Sequence, residues 1–229
     1  MRNLLISTLV LSAVASTSLA VLPKEFVLAE NTKDSSLLVS IYRNLFKKKE
    51  PPIKPRNGGS RPTEPVCMIS PDVPSVYRKV WSDRPLFLWQ GYVSTIAVRH
   101  QGSNINSWIH PASHTQNITY TGEPLQPGQV YQWVVNGGQF IPFQVMEKQE
   151  RDRISSELQN IEKQLQSTGA NTEAIALAKA NYFAEKNLWS DVLQQVYSVP
   201  EPSAELTTFR QDIVHNLCKP VIANQVSGN

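Results

Sequence analysis

Past its first twenty residues, the 229-residue chain has no apolar run long enough to cross a bilayer, which takes about 20 consecutive apolar residues. It has no Gly-x-Ser-x-Gly elbow and no phosphate-cradling glycine loop, so nothing local poises a serine nucleophile or a nucleotide. Histidine is scarce, at four residues, and cysteine scarcer, at two. Carboxylates are sparse in the middle third, where Glu64, Asp72, Asp83 and Glu123 stand mostly in turn contexts. A glycosidase needs two of them facing each other, and the spacing sets up no such pair. Together these absences move the reading away from catalysis and towards binding.

What is present begins with "MRNLLISTLVLSAVASTSLA". One basic residue, Arg2, precedes an apolar core from Leu4 to Val14, and Ser18-Leu19-Ala20 has the small-x-small form of a cleavage site. This predicts a signal peptide over 1–20, a mature chain starting at Val21, and an exported protein of the periplasm or the extracellular space. No cysteine follows the apolar core to carry a lipid anchor. The formal charge of +3 is unevenly spread. Arg43, Lys47, Lys48, Lys49, Lys54, Arg56 and Arg61 face a single acid, Glu50, over that stretch, whereas eight basic and eleven acidic residues follow from Glu147 onward. The positive balance belongs to a linker, and a nucleic-acid partner is not expected. In an exported chain Cys67 and Cys218 are a disulfide candidate. Two unpaired thiols are the alternative the sequence leaves open, because it does not show that their Cα atoms approach within about 7 Å.

Residues 21–62 read as a lead-in. "DSSLLVSIYRNLFKKK" places Leu37, Leu38, Ile41, Leu45 and Phe46 on one helical stripe with cations towards its end. Such a helix either docks on its own domain or, over residues 35–49, lies against an anionic membrane surface; docking is the expected outcome. "EPPIKPRNGGSRP" then reads as an extended linker. From 63 to 146 the pattern becomes short apolar or alternating runs: "PVCMIS", "PLFLWQ", "VSTIAVRH", "NSWIH", "NITYT", "QVYQWVV" and "FIPFQVM". Turn residues separate them, with Asn136-Gly137-Gly138 a strong hairpin signal. An antiparallel immunoglobulin-like β-sandwich is expected.

The region 147–229 changes to a helical period. Ile154, Leu158, Ile161 and Leu165 mark one helix ended by Ser167-Thr168-Gly169, and Asn171 or Thr172 caps the next. Two short helices turn near Asn187, and Ser203 caps a last one carrying Leu206, Phe209, Ile213 and Leu217. The pair from Thr172 to Val199 resembles a tetratricopeptide-type hairpin in Ala176, Ala180, Phe183, Leu188 and Trp189. Val192 and Val196 depart from that pattern and no second copy follows, so a helical appendage is expected in place of a solenoid. Acids on these helices are expected on solvated faces.

Four segments carry a wider resemblance: "GGSR" ahead of Cys67, "DRPLFLWQ" at Asp83–Gln90, "PLQPGQVYQWVV" at Pro124–Val135 and "NLWSDVLQQV" at Asn187–Val196. In this order they resemble an exported family of unknown function from photosynthetic, cyanobacterial-type bacteria. The resemblance implies export and a β-sandwich followed by helices, and it implies no activity. The chain differs in a shorter segment between its aromatic strands and in lacking a cysteine soon after "YQWVV", so no disulfide pattern carries over.

The expected function is a non-catalytic protein-interaction module without a cofactor, whose partner is another protein of the cell envelope. A carbohydrate-binding module is the first alternative, with Trp81, Trp89, Trp108 and Trp133 as stacking residues; an unrecognised hydrolase is the second. Alternation of Tyr131, Trp133 and Val135 with their neighbours favours packing over stacking for that strand. His110 and His114 in "IHPASH", with His100 upstream, are the nearest approach to a metal set, but no carboxylate completes it and no metal is expected.

Overall fold

The structure, a computed structural model, describes residues 24–46, 66–72 and 78–218, with the side chains of the first helix described from residue 34 onward. The leader 1–20, the linker 47–62 and the tail beyond 218 lie outside the described residues. In chain order the elements are α1 (Lys24–Phe46), β1 (Cys67–Ser70), β2 (Lys79–Val80), β3 (Leu86–Gln90), β4 (Thr95–His100), β5 (Trp108–Pro111), β6 (Asn117–Thr119), β7 (Val130–Val135), β8 (Gln139–Val145), α2 (Lys148–Ser167), α3 (Thr172–Glu185), α4 (Trp189–Tyr197) and α5 (Ala204–Cys218).

The strands form two sheets, β1-β3-β6 and β2-β8-β7-β4-β5. The pairings are antiparallel except at β2, which runs parallel to β8 with Lys79 opposite Gln144 and Val80 opposite Val145. This corrects the wholly antiparallel expectation. β2 is a two-residue strand, too short to show any alternation, and it reaches β8 by a crossover.

β3 explains how the layers stack. Its "LFLW" run is buried at every position, which for a strand means that both faces are covered. Phe87 and Trp89 point into a core shared with Trp133, Val98 and Phe143 of the larger sheet, and Leu86 and Leu88 point into a second core made mostly of helix residues. β1 divides likewise, with Met68 on the first side and Ile69 on the second. The small sheet is thus a middle layer between the larger sheet and the helices. In the inter-sheet core Phe87 meets Trp133 at 5.2 Å and Phe143 at 6.0 Å between ring centroids, and Trp89 lies 6.3 Å from Trp133. Such aromatic pairs add about 0.5–1.5 kcal/mol each beyond the area they bury.

On the helical side, α3 buries Ala176, Leu177, Ala180, Phe183 and Ala184. Small residues at 176, 180 and 184 let α1 and α4 approach closely. Asn171 caps α3 by accepting the Ala174 N–H at 2.8 Å, and Ser203 Oγ accepts the Leu206 N–H at 3.1 Å at the start of α5. Asn187 turns α3 into α4 at a positive φ of 58°, a conformation asparagine tolerates. Leu38, Ile41 and Leu45 of α1 are buried in the helical core. Cys67 and Cys218 form a disulfide with their Cα atoms 5.8 Å apart, joining the first strand to the last helix across 151 residues. Among the described residues no helix is long and apolar enough to cross a membrane.

Candidate functional site

The four tryptophans considered for stacking, of five in the chain, separate into two kinds. Trp89 and Trp133 are fully buried, and neither indole N–H has a hydrogen-bond partner. They drop out of the binding set, because a ring enclosed between two sheets presents no face to a ligand. Trp108 is half-buried, 5.0 Å from Tyr120 and 5.6 Å from His110, with its indole N–H donating to Thr121 Oγ1 at 3.2 Å. Trp81 lies over Phe183 at 5.5 Å, between sheet and helices. The four rings do not form an open row.

The histidines also stay apart in role. His100 is exposed and rests on Tyr131 at 4.5 Å, His110 stacks beside Trp108, and His114 sits exposed after β5. Among the described residues no group of three or more His, Cys, Asp or Glu side chains is placed to hold a metal ion.

The densest polar network lies where sheet meets helices. Asp191, in the first turn of α4, is 1% exposed, which corrects the expectation that the helical acids are solvated. Its Oδ2 accepts the Trp81 N–H at 2.8 Å and its Oδ1 accepts the Ser82 N–H at 3.1 Å. Around it, Arg151 of α2 donates through Nε to Trp81 O at 2.7 Å and pairs with Asp83 at 2.9 Å, while the Trp81 indole N–H donates to Arg151 O at 3.2 Å. Gln194 Nε2 donates to Ser82 Oγ at 3.1 Å and Arg84 O at 3.0 Å. Burial pushes the Asp191 carboxyl up to about 7; the Trp81 and Ser82 N–H groups and the nearby Arg151 charge offset part of that rise. Asp191 is enclosed, so the network pins one residue of α4 to the loop after β2. The sequence signal was an acid set among Leu188, Trp189, Val192 and Leu193, a helix start too apolar to face water.

Among the described residues, two surfaces bear on a partner. On the outer face of the larger sheet the registers align Ile109, Ala97, Val134 and Phe140 across β5, β4, β7 and β8. Ala97 and Val134 are covered in the middle of this row, while Ile109 is 61% and Phe140 is 45% exposed at its ends. Arg99, in the neighbouring row, donates to Gln132 Oε1 at 2.7 Å and stands 5.7 Å from the centre of the Phe140 ring. The second surface is a groove of about 560 Å³ between α1 and α5. A smaller hollow of about 310 Å³ near Tyr197 is lined by Arg210, whose guanidinium is held by the Val196 and Val199 carbonyls and so has little left to give a ligand. The apolar row was not read from sequence, because periodicity identifies a strand's two faces but not which residues of separate strands lie side by side.

Compared with protein-family models, with curated proteins and with solved structures, the chain matches none.

Proposed function

We propose that the chain is an exported, non-catalytic module that docks another protein of the cell envelope through the outer face of its larger sheet. The observation that carries this reading is the cross-strand row Ile109–Ala97–Val134–Phe140. Single exposed apolar side chains are ordinary, but two large ones closing the ends of one apolar row form a patch that a partner's apolar surface would cover. The disulfide supports an oxidising compartment and therefore export. The absence of an open indole row weighs against sugar stacking, and the enclosed Asp191 weighs against hydrolysis.

We read the two sheets as an immunoglobulin-like sandwich. The orders β1-β3-β6 and β8-β7-β4-β5 correspond to the A-B-E and G-F-C-C′ sheets of that fold. Tyr131, at the start of β7, has the role of the fold's corner tyrosine: its hydroxyl accepts the Gln126 N–H at 2.9 Å, five residues upstream. α3 and α4, closely packed and turning at Asn187, are read as a single tetratricopeptide-like hairpin serving as a brace.

Affinity capture from the envelope fraction on the immobilised full-length chain tests the proposal, with a doubly substituted Ile109→Asp, Phe140→Asp variant beside it. A protein retained by the first and lost by the second, at an unchanged melting temperature, is expected. An identical retained set, or none, refutes it.

A further inference from the structure

The groove between α1 and α5 is built from helices and stands independently of the sheet face. Leu38, Val39 and Tyr42 form its α1 side, and Phe209 its α5 side. Val39 is 55% exposed, and the Tyr42 ring is held in place by the Asn216 amide, which donates to its hydroxyl at 3.0 Å, and by Phe209 at 6.4 Å between centroids. The floor is therefore apolar, preformed and open.

Its rim carries charge of one sign. Glu205 and Asp212 line the α5 edge, and no basic side chain is among the described residues that line the groove. Both carboxylates are exposed, and among the described residues neither has an ion-pair partner. Seven residues separate them, which on a helix is close to two turns, so they lie on one side of α5 and about 10 Å apart along its axis. An occupant that suits this groove brings apolar side chains for the floor and two cations about two turns apart for the rim.

The backbone of the occupant is constrained as well. An extended segment arrives with unpaired N–H and C=O groups and needs a strand edge to satisfy them. The walls here are two helices, which offer no strand edge, and Ser35 and Thr208 are the polar uncharged side chains of the lining. A helix arrives with its hydrogen bonds made and exposes only side chains. An anionic lipid surface is repelled by the two carboxylates.

We infer that the α1/α5 groove is a docking site for a basic amphipathic helix of a partner protein, with apolar residues at three- and four-residue spacing and a Lys or Arg pair seven residues apart along one edge.

Two synthetic helical peptides of eighteen residues test this on the full-length, disulfide-intact protein. Both carry leucine at three- and four-residue spacing; one has lysine pairs seven apart, and the other has glutamate at the same positions. Calorimetric titration is expected to show binding of the lysine peptide alone. Affinity is expected to fall at least tenfold in the Glu205→Gln, Asp212→Asn double variant and to be lost in Val39→Arg, with helical circular dichroism unchanged in both. A Glu123→Gln, Glu185→Gln variant removes two exposed acids that do not line the groove and is expected to bind as the parent does. Equal affinity for the two peptides, equal losses in the two double variants, or no binding of the lysine peptide overturns the inference.

Discussion

Asp191 should make the protein less stable as pH rises through neutrality, and the size of that effect follows from its surroundings. The carboxyl is 1% exposed, and burial moves its midpoint from an ordinary 3.8 to about 7. Its folded-state midpoint therefore lies above its unfolded one, so the stability it contributes is fully present below pH 3.8 and is lost as pH climbs to about 7. A midpoint moved that far corresponds to about 4 kcal/mol. Asp191→Asn keeps the shape, removes the titration and leaves one of the Trp81 and Ser82 N–H groups facing an amide N–H, at a cost of about 1–3 kcal/mol. Urea unfolding of both proteins from pH 4 to pH 8 should then show the variant weaker at pH 4 and stronger at pH 8, the difference swinging by about 4 kcal/mol. The Asp83–Arg151 and Lys79–Glu150 pairs are common to both proteins and drop out of that difference. A difference that stays constant over the range would mean that the two N–H donors, the α4 N-terminus and Arg151 hold the carboxylate ionised throughout, and the burial argument would fail.

The remaining expectations concern the covalent tie and the inter-sheet core. Replacing both Cys67 and Cys218 by Ser should lower stability by about 5 kcal/mol on the loop-entropy model, because the bridge spans 151 residues. Denaturant unfolding measures it, and a loss below 1 kcal/mol would show that tying these two positions together does not cost the unfolded state the entropy the model assigns. Trp133→Ala should cost about 3–5 kcal/mol as a buried aromatic truncation, while Trp133→Phe should cost less because it also removes a buried N–H that has no partner. An unchanged melting temperature for the alanine variant would place Trp133 outside the core and restore the stacking role considered for it.

Much of this architecture is legible in the sequence wherever the information is local. Seven of the strands form where alternation and turn residues place them, and the caps at Asn171 and Ser203 make the bonds their side chains suggest. At the hairpin between β7 and β8, Asn136 and Gly137 both adopt positive φ, and the Asn136 side chain also accepts the Ser94 N–H at 2.8 Å. The helix α1 begins at Lys24, ten residues before Asp34, where the sequence places the start of the apolar stripe, and its opening "KEFVLAENTK" breaks the three- and four-residue spacing with Glu30-Asn31-Thr32-Lys33. β2 escaped because two residues carry no period, and their parallel pairing depends on where β8 lies.

What the sequence concealed has one physical cause: it concerns partners far apart in the chain. "PLFLWQ" contains the evidence that β3 is covered on both faces, since four consecutive apolar residues leave no side for water. Taken as one strand among seven, it suggests a sandwich whose outer faces are wet; taken with the helices that follow, it requires a third layer. Once that layer rests on Leu86 and Leu88, the loop after β2 must be buried at the joint, and its N–H groups at 81 and 82 need acceptors there. Asp191, 110 and 109 residues further on, supplies both from the one carboxylate at the start of α4. The same acid that looks solvated on a helical wheel is therefore enclosed by the need to satisfy two backbone donors. The apolar row of the sheet face and the α1/α5 groove share no residue with that joint.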